Sequence, residues 1–293
     1  MLDAINKAAA LVEAHKYIRR FRRCVVVVKV GGSIMDVPSD LARVIGDICF
    51  MAAVGMRPII VHGGGKAISD AMAAAGLEAQ FVQGRRYTDD RTLAIAEHVL
   101  VNQINAGIVA SINQFGRQAM GLHSLSSCVV FARRLLLDDE EDASRKVDLG
   151  FVGDVETINA PLLRCLLDAG TVPVIAPVAR DASGGKLNVN ADSVAGYVAA
   201  ALKAEKLMLV SDTHGIRTSN DPDSHAAHLT RRQIEDLVHR SVITAGMLPK
   251  VEASLLALSG GVAKVHIVDG RIPHSLMLEV YTTEGIGTEI VLQ

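Results

Sequence analysis

Near the start of the chain, an apolar, β-branched run ends abruptly in glycine, and it does so twice. Val25-Val26-Val27-Val28-Lys29-Val30 runs into Gly31-Gly32-Ser33, and Pro58-Ile59-Ile60-Val61-His62 runs into Gly63-Gly64-Gly65. Consecutive β-branched residues are stiff at χ1 and suit a buried strand better than a helix. Glycine straight after such a strand lets backbone N–H groups come close to a ligand. Where the turn also opens a helix, those N–H groups and the helix dipole favour an anion. Two such turns in neighbouring βα units, the first carrying Lys29, point to a phosphate or carboxylate site at the carboxyl ends of parallel strands.

The rest of the pattern agrees. Helical periodicity is expected over 3–22, 39–54, 66–75, 90–115 (closed by Gly116), 160–169, 192–204, 230–239 and 249–258, with strands over 25–30, 58–61, 172–177, 207–210 and 265–268. The acidic run Asp138-Asp139-Glu140-Glu141-Asp142 makes 138–154 a solvated loop or hairpin. Strands alternating with helices predict an α/β fold with a mainly parallel sheet covered on both faces. At 293 residues the chain makes one large or two smaller domains, and the polar stretch Asp181-Ala182-Ser183-Gly184-Gly185 is the expected boundary between lobes.

Composition narrows the function. With 49% hydrophobic residues the chain is not disordered, and a net charge of −2 argues against nucleic acid. Trp is absent and aromatics are 3%, so the core is aliphatic and base-stacking platforms are not expected. Cys24, Cys49, Cys128 and Cys165 lie far apart, without metal-ligand spacing, and suit free thiols in a reducing compartment. The apolar runs look too short to span a bilayer. Lys16, Arg19, Arg20, Arg22 and Arg23 follow the N-terminal apolar stretch instead of preceding it, unlike a secretory signal. A cytoplasmic protein with no membrane partner and no protein-only metal site is expected.

Several residues carry chemistry. Lys29 ends a hydrophobic strand and must be paired or face a cleft. Arg85 and Arg86 precede a helix start, where one guanidinium can fork onto a carboxylate. Asn188-Val189-Asn190-Ala191-Asp192 leads into a helix that Asn190 or Asp192 can cap. Ser211-Asp212-Thr213-His214-Gly215 follows a strand as a nucleotide-contact loop would. Lys250 stands in the first turn of a proline-started helix, against the macrodipole unless an anion lies beside it. His62 reads as a structural histidine. The chain lacks GxxxxGK[ST], the protein-kinase set, GxSxG, HExxH and an EF-hand loop.

Taken together, Val28-Lys29-Val30-Gly31-Gly32-Ser33, Val61-His62-Gly63-Gly64-Gly65, Gly84-Arg85-Arg86-Tyr87-Thr88-Asp89, Val147-Asp148-Leu149-Gly150-Phe151-Val152-Gly153, Asn188-Val189-Asn190-Ala191-Asp192, Gly246-Met247-Leu248-Pro249-Lys250 and Val265-His266-Ile267-Val268-Asp269-Gly270-Arg271 resemble the amino-acid kinase family, in its branch acting on N-acetyl-L-glutamate. The resemblance implies an αβα sandwich. An N-terminal helix (1–22) would precede an N-terminal lobe (23–180) for acetylglutamate and a C-terminal lobe (181–293) for ATP with Mg²⁺. It implies phosphorylation of the γ-carboxylate in the second step of arginine biosynthesis. Lys29 and Lys250 would stabilise the transferring phosphoryl group and Asp192 would orient them. Gly64, Gly65, Arg86 and Asn188 would hold the substrate. Gly31, Gly32, Asp212, Gly215, Thr244, Gly246 and Met247 would border the nucleotide.

A segment such as Tyr17-Ile18-Arg19-Arg20-Phe21 is similar to that of arginine-sensitive hexamers, trimers of dimers. This implies arginine inhibition through Tyr17, Lys206, His266 and Glu279, with Glu279 pairing the cationic groups of arginine. The sequence departs from the family pattern at Arg85 and over 121–127, which bear on substrate preference. Two alternatives are a sibling kinase for another acylated or carrier-linked amino acid and a non-catalytic regulatory protein of the same fold. The joint presence of Lys29, Asp192 and Lys250 argues for an enzyme.

Overall fold

The computed structural model describes residues 2–124, 126–139, 145–219, 221, 224–243, 246–283 and 285–293. Helix α1 (Leu2–Phe21) leads into β1 (Val25–Val30), a 3₁₀ turn (Gly32–Asp36), α2 (Pro38–Ala53), β2 (Arg57–His62) and α3 (Gly65–Ala74). A short hairpin, β3 (Phe81–Val82) and β4 (Arg85–Arg86), precedes a continuous helical stretch of α4 (Asp90–Glu97), a π-helical segment (His98–Asn105) and α5 (Ala106–Gln114). The chain continues through β5 (Ala119–Leu122), β6 (Val130–Asp138), β7 (Lys146–Ile158), α6 (Ala160–Asp168), β8 (Val172–Ile175), β9 (Val178–Arg180) and β10 (Lys186–Val189). It closes with α7 (Ala191–Leu202), β11 (Lys206–Ser211), β12 (His228–Thr230), α8 (Arg231–His239), α9 (Leu248–Ser259), β13 (Lys264–Asp269), α10 (Ser275–Tyr281) and β14 (Thr288–Val291).

The central sheet has eight strands in the order β12-β14-β13-β11-β1-β2-β8-β5, with β1 parallel to both β2 and β11. Alternation along β1 sorts the two faces. Val27 packs with Val194, Ala195 and Val198 of α7, whereas Val26, Val28 and Val30 pack with Ile45 and Ile48 of α2 and Leu276 of α10. This is the mainly parallel sheet covered on both faces that the alternating pattern predicts, and the αβα sandwich that the resemblance implies, with aliphatic layers on both sides. Each such side chain, fully buried, is worth about 1.5–3 kcal/mol over exposure. The same alternation puts Lys29 on the face of Val27, over α7.

Of the two readings of 138–154, the hairpin is the one found: β7 runs for 13 residues and pairs antiparallel with β6, burying Leu149, Gly150, Val152, Gly153 and Val155, while the acidic 140–142 fall outside the described residues. Two expectations change. β6, β7, β9 and β10 close into a small four-stranded unit. The turn 181–185 lies inside that unit between antiparallel β9 and β10, tied by Asp181 Oδ1 accepting from the N–H groups of Ser183 and Gly185, both at 2.8 Å. Finally, the 25-residue helical stretch Asp90–Gln114, mean hydropathy 1.3, does match a bilayer span by length and composition. One side of it, with Ala96, Val99, Leu100, Ile108 and Ile112, is buried in the protein interior.

Candidate active site

Lys29 meets Asp192 because both elements bring them there. β1 ends at the glycine turn with Lys29 facing α7, and Asn190 caps α7 by accepting from the Ser193 N–H at 3.0 Å. That leaves the first-turn Asp192 free for Lys29, with Nζ 2.9 Å from Oδ1 and both side chains under 10% exposed. Oδ1 makes no directed hydrogen bond among the described residues, so the pairing is Coulombic. A buried ion pair of this kind is poor evidence of stability and invites a functional reading.

The two glycine turns face one another. A methyl added at Gly63 would lie 3.6 Å from the Cα of Gly31, and one at Gly31 would strike the Lys29 ammonium. Gly32 adopts φ +73°, where a side chain is strained, and borders the Asp212 carboxylate. Asp212 accepts from the Ser33 N–H at 3.3 Å. Burial would raise its pKa, but the Ser33 hydroxyl and N–H outweigh burial and hold it below the usual carboxylate range. Lys250, half-buried in the first turn of α9, is pushed down by burial and by Lys29 against the pull of Asp192 and Asp212. Among the described residues its ammonium reaches only the Gly246 carbonyl, at 3.5 Å. The expectation that Asp192 orients both lysines thus has direct contact with Lys29 alone.

A cavity of about 260 Å³ opens beside this centre, lined among others by Lys29, Gly64, Gly65, Arg86, Asn188 and Asp192. The hairpin β3–β4, which sequence periodicity missed because each strand has two residues, sorts the arginine pair: Arg86 is buried and Arg85 half-exposed. Arg86 Nη2 donates to the Gly65 carbonyl at 2.8 Å and the Ser69 hydroxyl at 2.7 Å, with its guanidinium 4.8 Å from the Phe81 ring centroid. No carboxylate forms an ion pair with it among the described residues, and burial lowers its pKa. Asn188 Nδ2 donates to Thr88 Oγ1 at 3.3 Å. Ser69 and Phe81 carry no signal in the sequence; only the fold brings Phe81 to the cavity wall and Ser69 to the Arg86 guanidinium.

Of the expected nucleotide residues, Gly31, Gly32, Asp212, Gly246 and Met247 gather near the glycine turns or at the start of α9. Gly215 is instead buried, at φ +128° against Thr288, whose Oγ1 accepts from the Ile216 N–H at 2.9 Å. Thr244 lies outside the described residues. His62 is a satisfied core histidine, as expected.

Tyr17, Lys206, His266 and Glu279 line a separate cavity of about 320 Å³. Lys206 Nζ lies 2.9 Å from His266 Nε2, and His266 Nδ1 lies 2.6 Å from Glu279 Oε1. Glu279 Oε2 accepts from the N–H groups of Ile286 and Gly287 at 2.7 and 2.9 Å. Both oxygens of Glu279 are therefore engaged within the protein. Glu205 and Glu289 are further carboxylates on the same walls.

Comparison with known proteins brings these observations together. The sequence profile of the amino acid kinase family matches residues 25–269. Acetylglutamate kinase from Symbiobacterium thermophilum is 45% identical over 290 residues, 99% of each chain. That from Methanocaldococcus jannaschii is 41% identical, covering 99% of this chain and 98% of its own. Among solved structures, N-acetylglutamate synthase from Neisseria gonorrhoeae, complexed with coenzyme A and N-acetyl-glutamate, superposes with a TM-score of 0.85 at 25% identity; it covers 98% of this chain, which spans 63% of the synthase. Carbamate kinase from Giardia lamblia bound to AMP-PNP shares the fold at a TM-score of 0.66 and 15% identity, over 92% of this chain and 99% of its own.

Proposed function

The chain belongs to the amino acid kinase family and is a phosphotransferase, and on that premise we propose that it transfers the γ-phosphoryl group of ATP to the γ-carboxylate of N-acetyl-L-glutamate in the cytoplasm. The product is N-acetyl-L-glutamyl 5-phosphate, in the second step of arginine biosynthesis. The observation that carries the reading is the buried Lys29–Asp192 pair at 2.9 Å beside two facing glycine turns, with a buried Arg86 on the same cavity that forms no ion pair among the described residues.

The chemistry needs little from the protein beyond placement and charge. The γ-carboxylate is ionised at neutral pH, so no general base is required. One of its oxygens forms the new O–P bond as the bond from γ-phosphorus to the bridging oxygen breaks, and ADP leaves with that electron pair. Lys29 and Lys250 neutralise charge that builds on the transferring group. The N–H groups at Gly32, Gly64 and Gly65 add fixed donors, that of Gly31 being taken by the Val210 carbonyl at 3.2 Å, and Arg86 and Asn188 hold the substrate's far end. Mg²⁺, when bound with ATP, supplies further neutralisation. Asp212 and Asp192 would be the nearby carboxylates available to it, and no cluster of three or more His, Cys, Asp or Glu side chains forms a protein-only cage among the described residues. In this division 23–180, together with Asn188 of β10, serves the acyl amino acid, and the rest of 181–293 serves ATP.

ADP release against a panel of acyl amino acids, with hydroxylamine trapping of the acyl phosphate, tests the reading. Preference for another acyl amino acid would favour a sibling kinase, and no trapped product with any acceptor would overturn the transfer.

Arginine inhibition of a hexamer, a trimer of dimers, is the second element of the proposal. It is supported by the cavity joining Tyr17, Lys206, His266 and Glu279, and by α1, which exposes Leu11 and Val12 at 68% and 76%. An isolated helix of modest amphipathicity needs a packing partner. Because Phe21 is buried, removing 1–22 would open the core. Leu11→Asp with Val12→Asp is the cleaner variant: sizing chromatography with an arginine titration should show loss of the hexamer. An intact protein that runs as a dimer would refute it.

A further inference from the structure

His62 is fully buried at the end of β2, one residue before the second glycine turn, and the transfer chemistry makes no use of it. Its two ring nitrogens nonetheless have definite partners. Nδ1 lies 2.9 Å from the Gly63 carbonyl oxygen, and Nε2 lies 3.1 Å from Asn105 Nδ2. The same Asn105 nitrogen donates to the Val174 carbonyl at 3.0 Å.

These contacts assign the protons. Rotating the Asn105 amide by a half-turn would set its oxygen against the Val174 carbonyl, so the nitrogen must face both Val174 and His62. An amide nitrogen has two hydrogens and no acceptor capacity, so His62 Nε2 is the acceptor. In neutral imidazole the other nitrogen then carries the proton, and Nδ1–H donates to the Gly63 carbonyl. Burial holds the ring neutral, with a pKa lowered to about 4. The fold reserves the room: Asn105 ends the π-helical segment, whose wider turn re-aims side chains, and a methyl at Gly121 would collide with Asn105 Oδ1.

The Gly63–Gly64 peptide is planar and trans, so a carbonyl held toward His62 turns the Gly64 N–H the opposite way. That N–H has no acceptor among the described residues, and Gly64 lines the cavity beside Lys29. We propose that Asn105 and His62 are positioning residues for phosphoryl transfer: a buried relay from the Val174 carbonyl through Asn105 and the Nδ1-protonated imidazole to the Gly63 carbonyl aims the Gly64 N–H at the reacting oxygens.

The inference rests on the kinase reading, but its first test does not. Long-range ¹H–¹⁵N correlation of the intact protein, with the His62 signals identified by their loss in His62→Asn, should show Nδ1 protonated and Nε2 bare. A protonated Nε2 would overturn the relay, whatever the activity. The second test is kinetic. His62→Leu removes the donor to Gly63, while His62→Asn keeps an amide N–H at the Nδ1 position. His62→Leu should lower kcat about tenfold or more, the scale of a misaimed transition-state donor. His62→Asn should stay within about threefold of the parent, and KM for ATP should hold in both, because only transition-state binding is touched. Equal kcat losses in the two variants, tracking equal losses in Tm, would mean that His62 merely fills space and would sink the proposal. Failure of the wild-type protein to yield trapped acyl phosphate would count against the kinase reading and leave the tautomer result standing.

Discussion

Lys29 and Lys206 lie on adjacent parallel strands, both more than nine-tenths buried, yet at opposite ends and on opposite faces of the sheet. Lys29 stands near the carboxyl end of β1 on the α7 side. Lys206 begins β11 on the side of α10, where Met208 and Val210 follow it into the second core layer. Among the described residues Lys29 pairs with one carboxylate, Asp192, and it stands beside the glycine turns on the wall of a cavity. Lys206 sits in a network that closes on itself. It reaches His266, His266 holds Glu279, and Glu279 takes two backbone N–H groups; the Phe21 ring centroid is 5.2 Å from its ammonium. Burial and Lys264 push the Lys206 pKa down, while burial of Glu279 is outweighed by His266 and the two N–H groups, which hold it at about 2. The difference separates a site with spare charge for a reacting anion from one whose charges already answer each other.

The largest effect should come from Lys29→Ala. Losing a preorganised charge at a transferring group costs roughly 2.7–4 kcal/mol, a factor of about 10² to 10³ in kcat. The same change strands Asp192 as a buried, unpaired carboxylate, so stability should fall too. The double variant Lys29→Ala/Asp192→Asn should regain Tm in thermal melts but not turnover. Recovery of both would make the pair structural and erase the contrast with Lys206.

Arg86→Ala sharpens the picture at the far end of the cavity. A charge-assisted hydrogen bond to a substrate carboxylate is worth enough to raise KM for N-acetylglutamate roughly 10- to 100-fold. KM for ATP should stay near normal, since uniform substrate binding is what is lost. The adjacent, half-exposed Arg85→Ala should do much less; equal KM effects would contradict the sorting imposed by the β3–β4 hairpin.

Glu279→Gln probes the closed network, and its signature is stability. Loss of the charged partner of His266 should cost about 1–3 kcal/mol by denaturant titration at neutral pH, with kcat changing far less than in Lys29→Ala. The pH dependence has a definite sign. The folded pKa of Glu279, about 2, lies below its ordinary 4.5, so the unfolded chain binds the extra proton between those values. The stabilisation is complete above about pH 4.5 and fades as pH falls toward 2. Glu279→Gln should flatten that part of the stability curve. An unchanged slope would show that Glu279 is not the group held there.

Much of the architecture was legible because it is written locally. The valine run, the glycine turns, the Asn190 cap, the Pro249 helix start and the Gly116 helix end each act within a few residues, and each stands where the pattern puts it. The four-stranded unit was not legible. β6 and β7 show charged Arg133, Arg134 and Asp148 to solvent, so half of each strand reads as loop. The seven-residue α10, which carries Glu279, is too short to show a period. The resemblance to a family, not periodicity, picked out Glu279 and His266.

By itself, the sequence determined five strands of the central sheet and the longer helices that flank it, the two anion-favouring turns and the presence of lysines beside them. These follow from backbone sterics and side-chain spacing along a single stretch of chain. Which carboxylate Lys29 meets, which of two adjacent arginines turns inward and which nitrogen of His62 carries the proton were decided only by the tertiary structure. Each depends on partners from elements distant in sequence, brought within hydrogen-bond range when the two faces of the sheet were covered, and low-dielectric burial is what makes those pairings selective.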